Sequence, residues 1–219
     1  MIYYISDLHI YNQVSLADKD CRPFDTLEEM HNYIIQKWNA RVTGDDLVIV
    51  LGDLSNADAK LTNEFLKQLH GRIALLVGNH DHYINNPEFD HSRFEWIDTY
   101  REIRDEEHHV ILSHYPVMFY NRQYKVFANG SPMTYMLYGH LHNTMDEAIL
   151  NHFQNELRQI RRTIKRTGNT INTPSHMINC FCMFSDYTPL TLDEWIENDR
   201  IRRGHLLTNG KSGDNILED

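Results

Sequence analysis

The feature that most constrains the fold of this chain is a series of short apolar runs, each of which stops at a polar loop. The first three runs, at 2–5, 47–51 and 73–77, alternate with stretches in which apolar residues recur at helical spacing. An apolar run of about four to eight residues that is bounded by a turn signal is typical of a buried strand. The alternation of strand and helix predicts βαβ units, and therefore a largely parallel sheet.

Further elements are predicted along the rest of the sequence. Strands are expected at 100–104, 109–112, 135–138 and 177–184. Thr26, Thr144 and Thr191 are each followed three residues later by glutamate, which is the pattern of a capping box at the start of a helix. Another helix is indicated by Leu61, Phe65 and Leu69, and the helix after Thr144 carries the longest apolar stripe of the chain, as far as Ile164.

Composition limits the class of protein. The 219 residues are 41% apolar and 24% charged, which is typical of a globular chain. No apolar run approaches the roughly 20 residues needed to cross a bilayer, and no signal peptide is recognised, so we expect a cytoplasmic protein without a membrane partner. The prediction is one domain over 1–219, with a helical insertion at about 144–168 and a tail at 204–219 that forms an edge strand or is mobile.

The net charge of the chain limits which partners we expect it to bind. The formal net charge of -10 argues against a general nucleic-acid surface, because such binding relies on lysine and arginine neutralising phosphates. The basic end of the predicted 144–166 helix leaves two interpretations open, an ordinary surface helix or an arm that grips phosphate or nucleic acid. The oligomeric state stays open.

Five of the predicted strands end in side chains that bind metals or move protons. These residues are Asp7 and His9, Asp53, Asn79 with His80 and Asp81, His114, and His140 with His142. Carboxylate and imidazole without thiolate suit Mn²⁺, Fe²⁺ or Zn²⁺. Residues two apart in extended chain point to the same side, so both members of Asp7/His9 and of His140/His142 can face one pocket. An ordinary turn is the alternative for each motif alone, but five in series predict a metal site.

In this order, the motifs Asp7-x-His9, Gly52-Asp53, Gly78-Asn79-His80-Asp81, Ser113-His114 and Gly139-His140-x-His142 resemble the calcineurin-like metallophosphoesterase superfamily. The match spans residues 1 to 142, and the loops Arg22-Pro23-Phe24 and His114-Tyr115-Pro116 look like those of small bacterial and phage members. The resemblance implies a four-layer α/β/β/α sandwich of two mixed β-sheets flanked by helices.

The resemblance also implies two divalent metal ions. Asp7, His9, Asp53 and His142 would hold the first ion, and Asp53, Asn79, His114 and His140 the second, with Asp53 as the bridge. The expected ions are Mn²⁺ or an Fe²⁺/Mn²⁺ pair, with Zn²⁺ as an alternative. Two such ions about 3.5 to 4 Å apart yield hydroxide at neutral pH and polarise the phosphoryl oxygens that it attacks.

Two further residues of the Gly78–Asp81 motif, His80 and Asp81, are predicted to take part in proton transfer. His80 is the motif histidine that is not needed as a ligand, so it is assigned to protonating the leaving oxygen, with Asp81 orienting its ring. Gly78 would let the backbone turn off the strand. Arg22 and Asn56 are candidate substrate contacts, with a merely solvated arginine as the alternative for Arg22.

The sequence therefore predicts a phosphatase or phosphodiesterase that acts on a small phosphate ester, including the case of a nucleotide. A metal-dependent nuclease is the alternative enzyme, and a non-catalytic binding scaffold on the same fold is the alternative from another class. Departures from the family narrow the choice. Asn56 stands where a purple acid phosphatase has a tyrosine ligand, and Leu54-Ser55-Asn56 replaces the motif of protein serine/threonine phosphatases.

Overall fold

The structure is a computed structural model that describes residues 1–16 and 20–209. The described strands are β1 (Ile2–Ile5), β2 (Leu47–Val50), β3 (Arg72–Leu76), β4 (Phe94–Asp98), β5 (Tyr100–Asp105), β6 (His108–Ser113), β7 (Thr134–Tyr138), β8 (Arg161–Thr163), β9 (Thr170–Asn172) and β10 (Met177–Asn179). The helices are α1 (Leu27–Arg41), α2 (Ala59–Leu66), α3 (Met145–Gln159) and α4 (Leu192–Asn209). Short 3₁₀ turns connect some of these elements.

The strands form two four-stranded sheets and a hairpin. The first sheet has the order β1-β2-β3-β4, and each strand runs parallel to the strands beside it. The second has the order β10-β7-β6-β5, in which only β5 and β6 are antiparallel. The second sheet is thus mixed as predicted, while the four strands of the first are all parallel and an antiparallel bridge joins Tyr4 to Leu190 at the β1 edge. β4 was not predicted, because it is an edge strand in which only Phe94 is buried.

Side chains on the first sheet alternate between two apolar clusters, because successive residues of a strand point to opposite faces. Ile5 packs in the cluster that contains Trp38 of α1 and Phe65 of α2. Tyr4 packs in the cluster that contains Leu137 of the second sheet. A third cluster joins the other face of the second sheet to α3. The protein is thus a mixed α/β fold with sheets flanked by helices, while the four-layer order stays a prediction.

The predicted insertion at 144–168 is helical only in its first part. α3 ends at Gln159, and the chain continues into the β8–β9 hairpin. The β-branched Thr163 and Thr170 pair across the hairpin, and Gly168 supplies a left-handed turn residue with φ +73°. The capping box at Thr144 does not form, because the buried Glu147 accepts a hydrogen bond from the Tyr138 hydroxyl instead.

The last helix begins as predicted and is longer than expected. The Thr191 hydroxyl accepts from the backbone N–H of Glu194, whose carboxylate accepts from the N–H of Thr191 at 2.9 Å. α4 extends to Asn209, so the beginning of the predicted tail at 204–219 is helical, and residues 210–219 lie outside the described residues. None of the described helices has the length and apolarity needed to span a membrane, and a cytoplasmic location stays a prediction.

Candidate metal centre

Every predicted metal-binding side chain lies in a loop that follows a strand, at the carboxyl ends of β1, β2, β3, β6 and β7. The loops bring these side chains into two clusters, in each of which one potential ligand atom per residue lies within 4.8 Å of the others. The clusters are Asp7, His9 and His142, and Asp53, His114 and His140. Asn79 joins the second cluster, since its Oδ1 lies 3.1 Å from Nε2 of His114. All seven predicted ligand residues are thus brought together.

The ligand atoms point toward one another across short gaps. Nε2 of His9 lies 3.1 Å from Nε2 of His142, which in turn lies 3.5 Å from Oδ1 of Asp7. Nε2 of His9 and Nε2 of His114 are each 3.5 Å from Oδ2 of Asp53. One oxygen of Asp53 therefore faces both clusters.

The outer ring nitrogens explain which atoms face the centre. Nδ1 of His142 lies 2.6 Å from a carboxylate oxygen of Asp20, and Nδ1 of His114 lies 2.8 Å from the carbonyl of Leu51. Nδ1 of His9 lies 2.8 Å from the side-chain carbonyl of Asn56. Because these oxygens only accept, each Nδ1 donates, and the Nε2 of a neutral ring carries a lone pair.

This geometry fits divalent metal ions. Two Nε2 atoms that face each other at 3.1 Å, as in His9 and His142, need a metal ion or a proton between them, because two lone pairs at that distance repel. Ligand atoms bonded to one ion at about 2.1 Å are separated by about 3 to 3.5 Å. The distances from His142 to His9 and Asp7, and from His114 to Asp53, fall in this range. The residues present are therefore suited to hold a metal in each cluster.

Electrostatics keep the carboxylates of the centre ionised. Burial opposes the charge of Asp7, but its hydrogen bond to His142 and the neighbouring imidazoles hold its pKa well below the usual range. Burial lowers the pKa of His9 to about 4. Burial also opposes the charge of His114, but the hydrogen bond to Asp53 and the charges of Asp7 and Asp53 raise its pKa to about 9. A metal would therefore compete with a proton at His114.

The ligand loops adopt an unusual backbone conformation. Five of the cluster residues have positive φ angles: Asp7 (57°), His9 (47°), Asp53 (53°), His140 (69°) and His142 (51°). A residue other than glycine in this region costs about 1–2 kcal/mol, and such conformations concentrate at functional sites. The surrounding fold thus holds these loops in a conformation that their own sequence disfavours.

Glycines before the ligands allow close packing of the loops. A Cβ at Gly78 would lie 2.2 Å from Oδ1 of Asp53, and one at Gly52 would lie 2.3 Å from Nδ1 of His114. Gly52 also has φ +92°, whereas Gly78 is outside the left-handed region. The role expected of Gly78, a turn off the strand, is therefore corrected: the position needs glycine because Asp53 approaches its backbone.

The structure also corrects the role of Asp81. Its buried Oδ2 accepts from the backbone N–H of Gly78 at 2.8 Å and of Asp53 at 2.9 Å, and its Oδ1 accepts from Leu54 at 2.9 Å. The carboxylate thus ties the loop after β3 to the loop after β2 and does not orient the ring of His80. Burial raises the pKa of Asp81 to about 6, although the backbone donors favour its ionised form.

Asn56 contacts the ring of His80 instead. Its side-chain nitrogen lies 3.1 Å from Nδ1 of His80, while its side-chain oxygen accepts from His9. The His80 ring is half-buried, and its centre lies 5.1 Å from the centre of the His9 ring. Asn56 thus bridges two histidines, and its predicted contact with substrate stays a prediction.

Arg22 is not available to a substrate. It is 3% exposed, and its guanidinium donates to the carbonyls of Leu8 at 2.6 Å and Asp7 at 2.8 Å and pairs with Asp20 at 3.0 Å. The predicted substrate contact is therefore wrong, because the guanidinium is buried and already bonded to partners inside the protein. Arg22 fixes the backbone of Asp7 and holds Asp20, which accepts from His142.

Two neighbours of the centre were not assigned roles from the sequence. Asp20 lies in an irregular loop without a recognisable pattern, and only the fold brings it to His142. The exposed Tyr115 follows His114 directly, and this adjacency is the only feature of the sequence that indicates a place for it near the centre. Its hydroxyl donates to Oδ1 of Asn79 at 3.4 Å, and its ring centre lies 4.5 Å from that of His140. Tyr115 therefore forms part of the rim of the centre.

Two known proteins are similar in sequence to parts of this chain. An uncharacterized protein, MJ1445, from Methanocaldococcus jannaschii is 42% identical over 84 residues, which are 37% of this chain and 47% of that protein. The Gene 66 protein of Mycobacterium phage D29 is 30% identical over 132 residues, which are 52% of this chain and 63% of that protein. The chain thus spans less than two thirds of the length of either relative.

Two further comparisons cover most of the chain. A solved structure of a protein of unknown function, AQ665, from Aquifex aeolicus has a similar fold, with a TM-score of 0.58 and 22% identity over 89% of this chain and 96% of that chain. The family model for calcineurin-like phosphoesterases matches residues 1–207, which include both ligand clusters. The chain therefore belongs to the calcineurin-like phosphoesterase family.

Proposed function

We propose that this protein is a metal-dependent phosphoesterase that hydrolyses a small phosphomonoester or phosphodiester. The observation that carries the proposal is the pair of clusters that share Asp53, whose Oδ2 lies 3.5 Å from an imidazole nitrogen of each. A carboxylate in that position suits a bridge between two ions. Family membership supports the same class of reaction.

The proposed ligands divide between two ions. One ion would be held by Asp7, His9 and His142, the other by Asn79, His114 and His140, and both by Asp53. Oxygen and imidazole donors suit Mn²⁺, an Fe²⁺/Mn²⁺ pair or Zn²⁺. When bound, such a pair supplies Lewis-acid activation of water and of the phosphoryl oxygens.

His80 is proposed to give a proton to the leaving oxygen, and Asn56 supports this role. Because the Asn56 oxygen accepts from His9, its nitrogen donates to Nδ1 of His80. A neutral imidazole that accepts at Nδ1 carries its proton on Nε2. The amide of Asn56 thus keeps the proton of His80 on Nε2, from which the ring can hydrogen-bond to the leaving oxygen and stabilise its developing charge.

The test is turnover of mono- and bis-p-nitrophenyl phosphate by metal-free protein after addition of Mn²⁺. We expect added Mn²⁺ to restore turnover of at least one ester, with Asp53→Asn losing both bound metal and activity. Elemental analysis reports the metal content of each preparation. A wild-type protein that holds metal and turns over neither ester would contradict the proposal and favour a binding scaffold.

A further inference from the structure

The cations of this acidic protein fall into two groups. One group is paired with carboxylates and comprises Lys37, Arg22, Arg41, Arg72, Arg101, Arg200, Arg202 and Arg203. The other group contacts no carboxylate in the part of the chain that the structure describes, and it includes Arg104, Arg122, Lys125 and Arg162. The net charge of -10 means that carboxylates outnumber cations in this chain. Several cations that lie together without a carboxylate partner therefore indicate a site for an external anion.

Three of these cations line one surface cavity. Arg104, Arg122 and Lys125 surround a space of about 430 Å³, and Glu107 is the one carboxylate among its lining residues. The wall includes Thr134, whose buried hydroxyl has no hydrogen-bond partner among the described residues. A cavity with this balance of charge favours an anionic ligand.

The fourth cation extends the positive surface beyond the cavity. The guanidinium carbon of Arg162 lies 4.7 Å from the centre of the Tyr124 ring, and Tyr124 stands between Arg122 and Lys125 in the chain. Arg162 belongs to the exposed strand β8, so the hairpin continues the surface. We call Arg104, Arg122, Lys125 and Arg162 the basic surface. Four cations on one surface suit a ligand with several phosphates better than one with a single phosphate.

The position of the basic surface separates it from the metal centre. His108 lines the cavity at the start of β6, while His114 follows the end of the same strand. Six residues at about 3.3 Å each give a distance of about 20 Å along the strand. A small phosphate ester at the metal centre cannot reach that far, whereas a nucleic-acid strand can.

We propose that the basic surface binds the phosphate backbone of a nucleic-acid strand and positions it for hydrolysis at the metal centre, an inference that rests on the proposed phosphoesterase function. The overall charge does not oppose this, because at physiological salt charges more than about 8 Å away are largely screened. Hydrolysis breaks one phosphodiester P–O bond and forms another to the oxygen of water. The products are a phosphomonoester and a free hydroxyl group.

The binding test uses fluorescence anisotropy with labelled single-stranded DNA, single-stranded RNA and duplex DNA. The full chain carries His80→Asn to limit cleavage, and Mn²⁺ is present. We expect Arg122→Gln/Lys125→Gln/Arg162→Gln to weaken binding of at least one of these nucleic acids at least 10-fold and to reduce the slope of log K against log salt by about 2 to 3. The matched control is Lys37→Gln/Arg72→Gln/Arg200→Gln, which makes the same change in net charge at paired cations and should bind within about twofold of the parent.

A cleavage test separates this inference from the proposed function. With Mn²⁺ and an intact His80, the first triple variant should cleave oligonucleotides at least 10-fold less efficiently than wild type, yet turn over bis-p-nitrophenyl phosphate at the wild-type rate. The inference would be overturned if both triple variants lost the same amount of binding, or if the protein bound no oligonucleotide. Binding of inorganic phosphate as tight as that of the oligonucleotide would also overturn it. Failure of the wild type on the nitrophenyl esters, with binding intact, would overturn only the phosphoesterase function and the positioning role that depends on it.

Discussion

Asn56 connects the metal centre to the proton donor through a single side chain. Its oxygen accepts from His9 and its nitrogen lies beside Nδ1 of His80, so the orientation of one amide determines the hydrogen bonding of both rings. The amide is fixed at one end by His9, whose Nε2 faces the cluster. Loss of the amide should therefore affect proton donation more than the fold.

We expect Asn56→Leu to lower turnover of an alkyl phosphate ester about 10- to 100-fold at saturating Mn²⁺, because His80 loses the partner that keeps its proton on Nε2. Turnover of a p-nitrophenyl ester should change much less, since that leaving group needs little protonation. Steady-state rates on both esters provide the measurement. An equal loss on both would contradict a positioning role.

His80→Asn tests the acid itself. The variant should retain its metals, because the ring of His80 belongs to neither ligand cluster. We expect a loss of about 10²- to 10⁴-fold on alkyl esters, the usual contribution of a general acid. Adding Asn56→Leu to this variant should cause little further loss on alkyl esters. Unchanged turnover of the alkyl ester by His80→Asn would remove this residue from the mechanism.

At the scale of elements, the centre depends on how closely the loops after β2 and β3 approach each other. Asp81 accepts backbone N–H groups from both loops, and Gly78 leaves room for Asp53. The 2.9 Å bond from the N–H of Asp53 to Asp81 joins residues 28 positions apart in the chain. The spacing of ligands in a motif is therefore only part of what builds the site.

Gly78→Ala should weaken Mn²⁺ binding about 10- to 100-fold, the range typical for losing support of a metal ligand. The added methyl group would lie 2.2 Å from Oδ1 of Asp53, so the carboxylate must move. Gly44→Ala is the matched control, because nothing lies within 4 Å of a Cβ there. Calorimetric titration of both variants provides the measurement, and wild-type affinity in Gly78→Ala would contradict this account.

The sequence predicted the strands that carry motifs and the residues of both clusters, because apolar runs and short ligand spacings are local properties. It did not predict how Asp20, Asn56, Asp81 and Arg22 are used, since their partners are set by which loops face one another. The end of α3 was missed for another reason. Ile160 and Ile164 continue a helical stripe, but the pairing of Thr163 with Thr170 favours a hairpin.

At the scale of the whole molecule, burial of histidines makes stability depend on pH. Nε2 of His31 accepts the backbone N–H of Tyr11 at 2.9 Å, and burial lowers the pKa of His31 to about 4. Between about pH 6.5 and 4 the unfolded chain thus binds a proton that the folded protein excludes. Stability from this residue is present above pH 6.5 and is lost as the pH falls through this range.

We expect His31→Gln to remove about 2 kcal/mol of the acid-induced loss of stability between pH 6.5 and 4, because glutamine can accept the same N–H without titrating. This is less than the full pKa difference implies, because solvent screens the partly exposed ring. Thermal or urea unfolding at several pH values, with a chelator present to exclude effects of metal release, provides the measurement. The exposed His152→Gln should keep the wild-type pH dependence. An identical pH dependence in His31→Gln and wild type would contradict the assignment.

The left-handed backbone at Asp7, His9, Asp53, His140 and His142 has a consequence for the life of the protein before it acquires metal. Glycine at these positions would relieve the backbone strain but would remove the side chains that can bind metal. Residues that favour tight metal binding therefore lower the stability of the metal-free protein. We therefore expect proteases to cut the metal-free chain faster than the metal-bound one. Metal supply would then set how much of the protein persists.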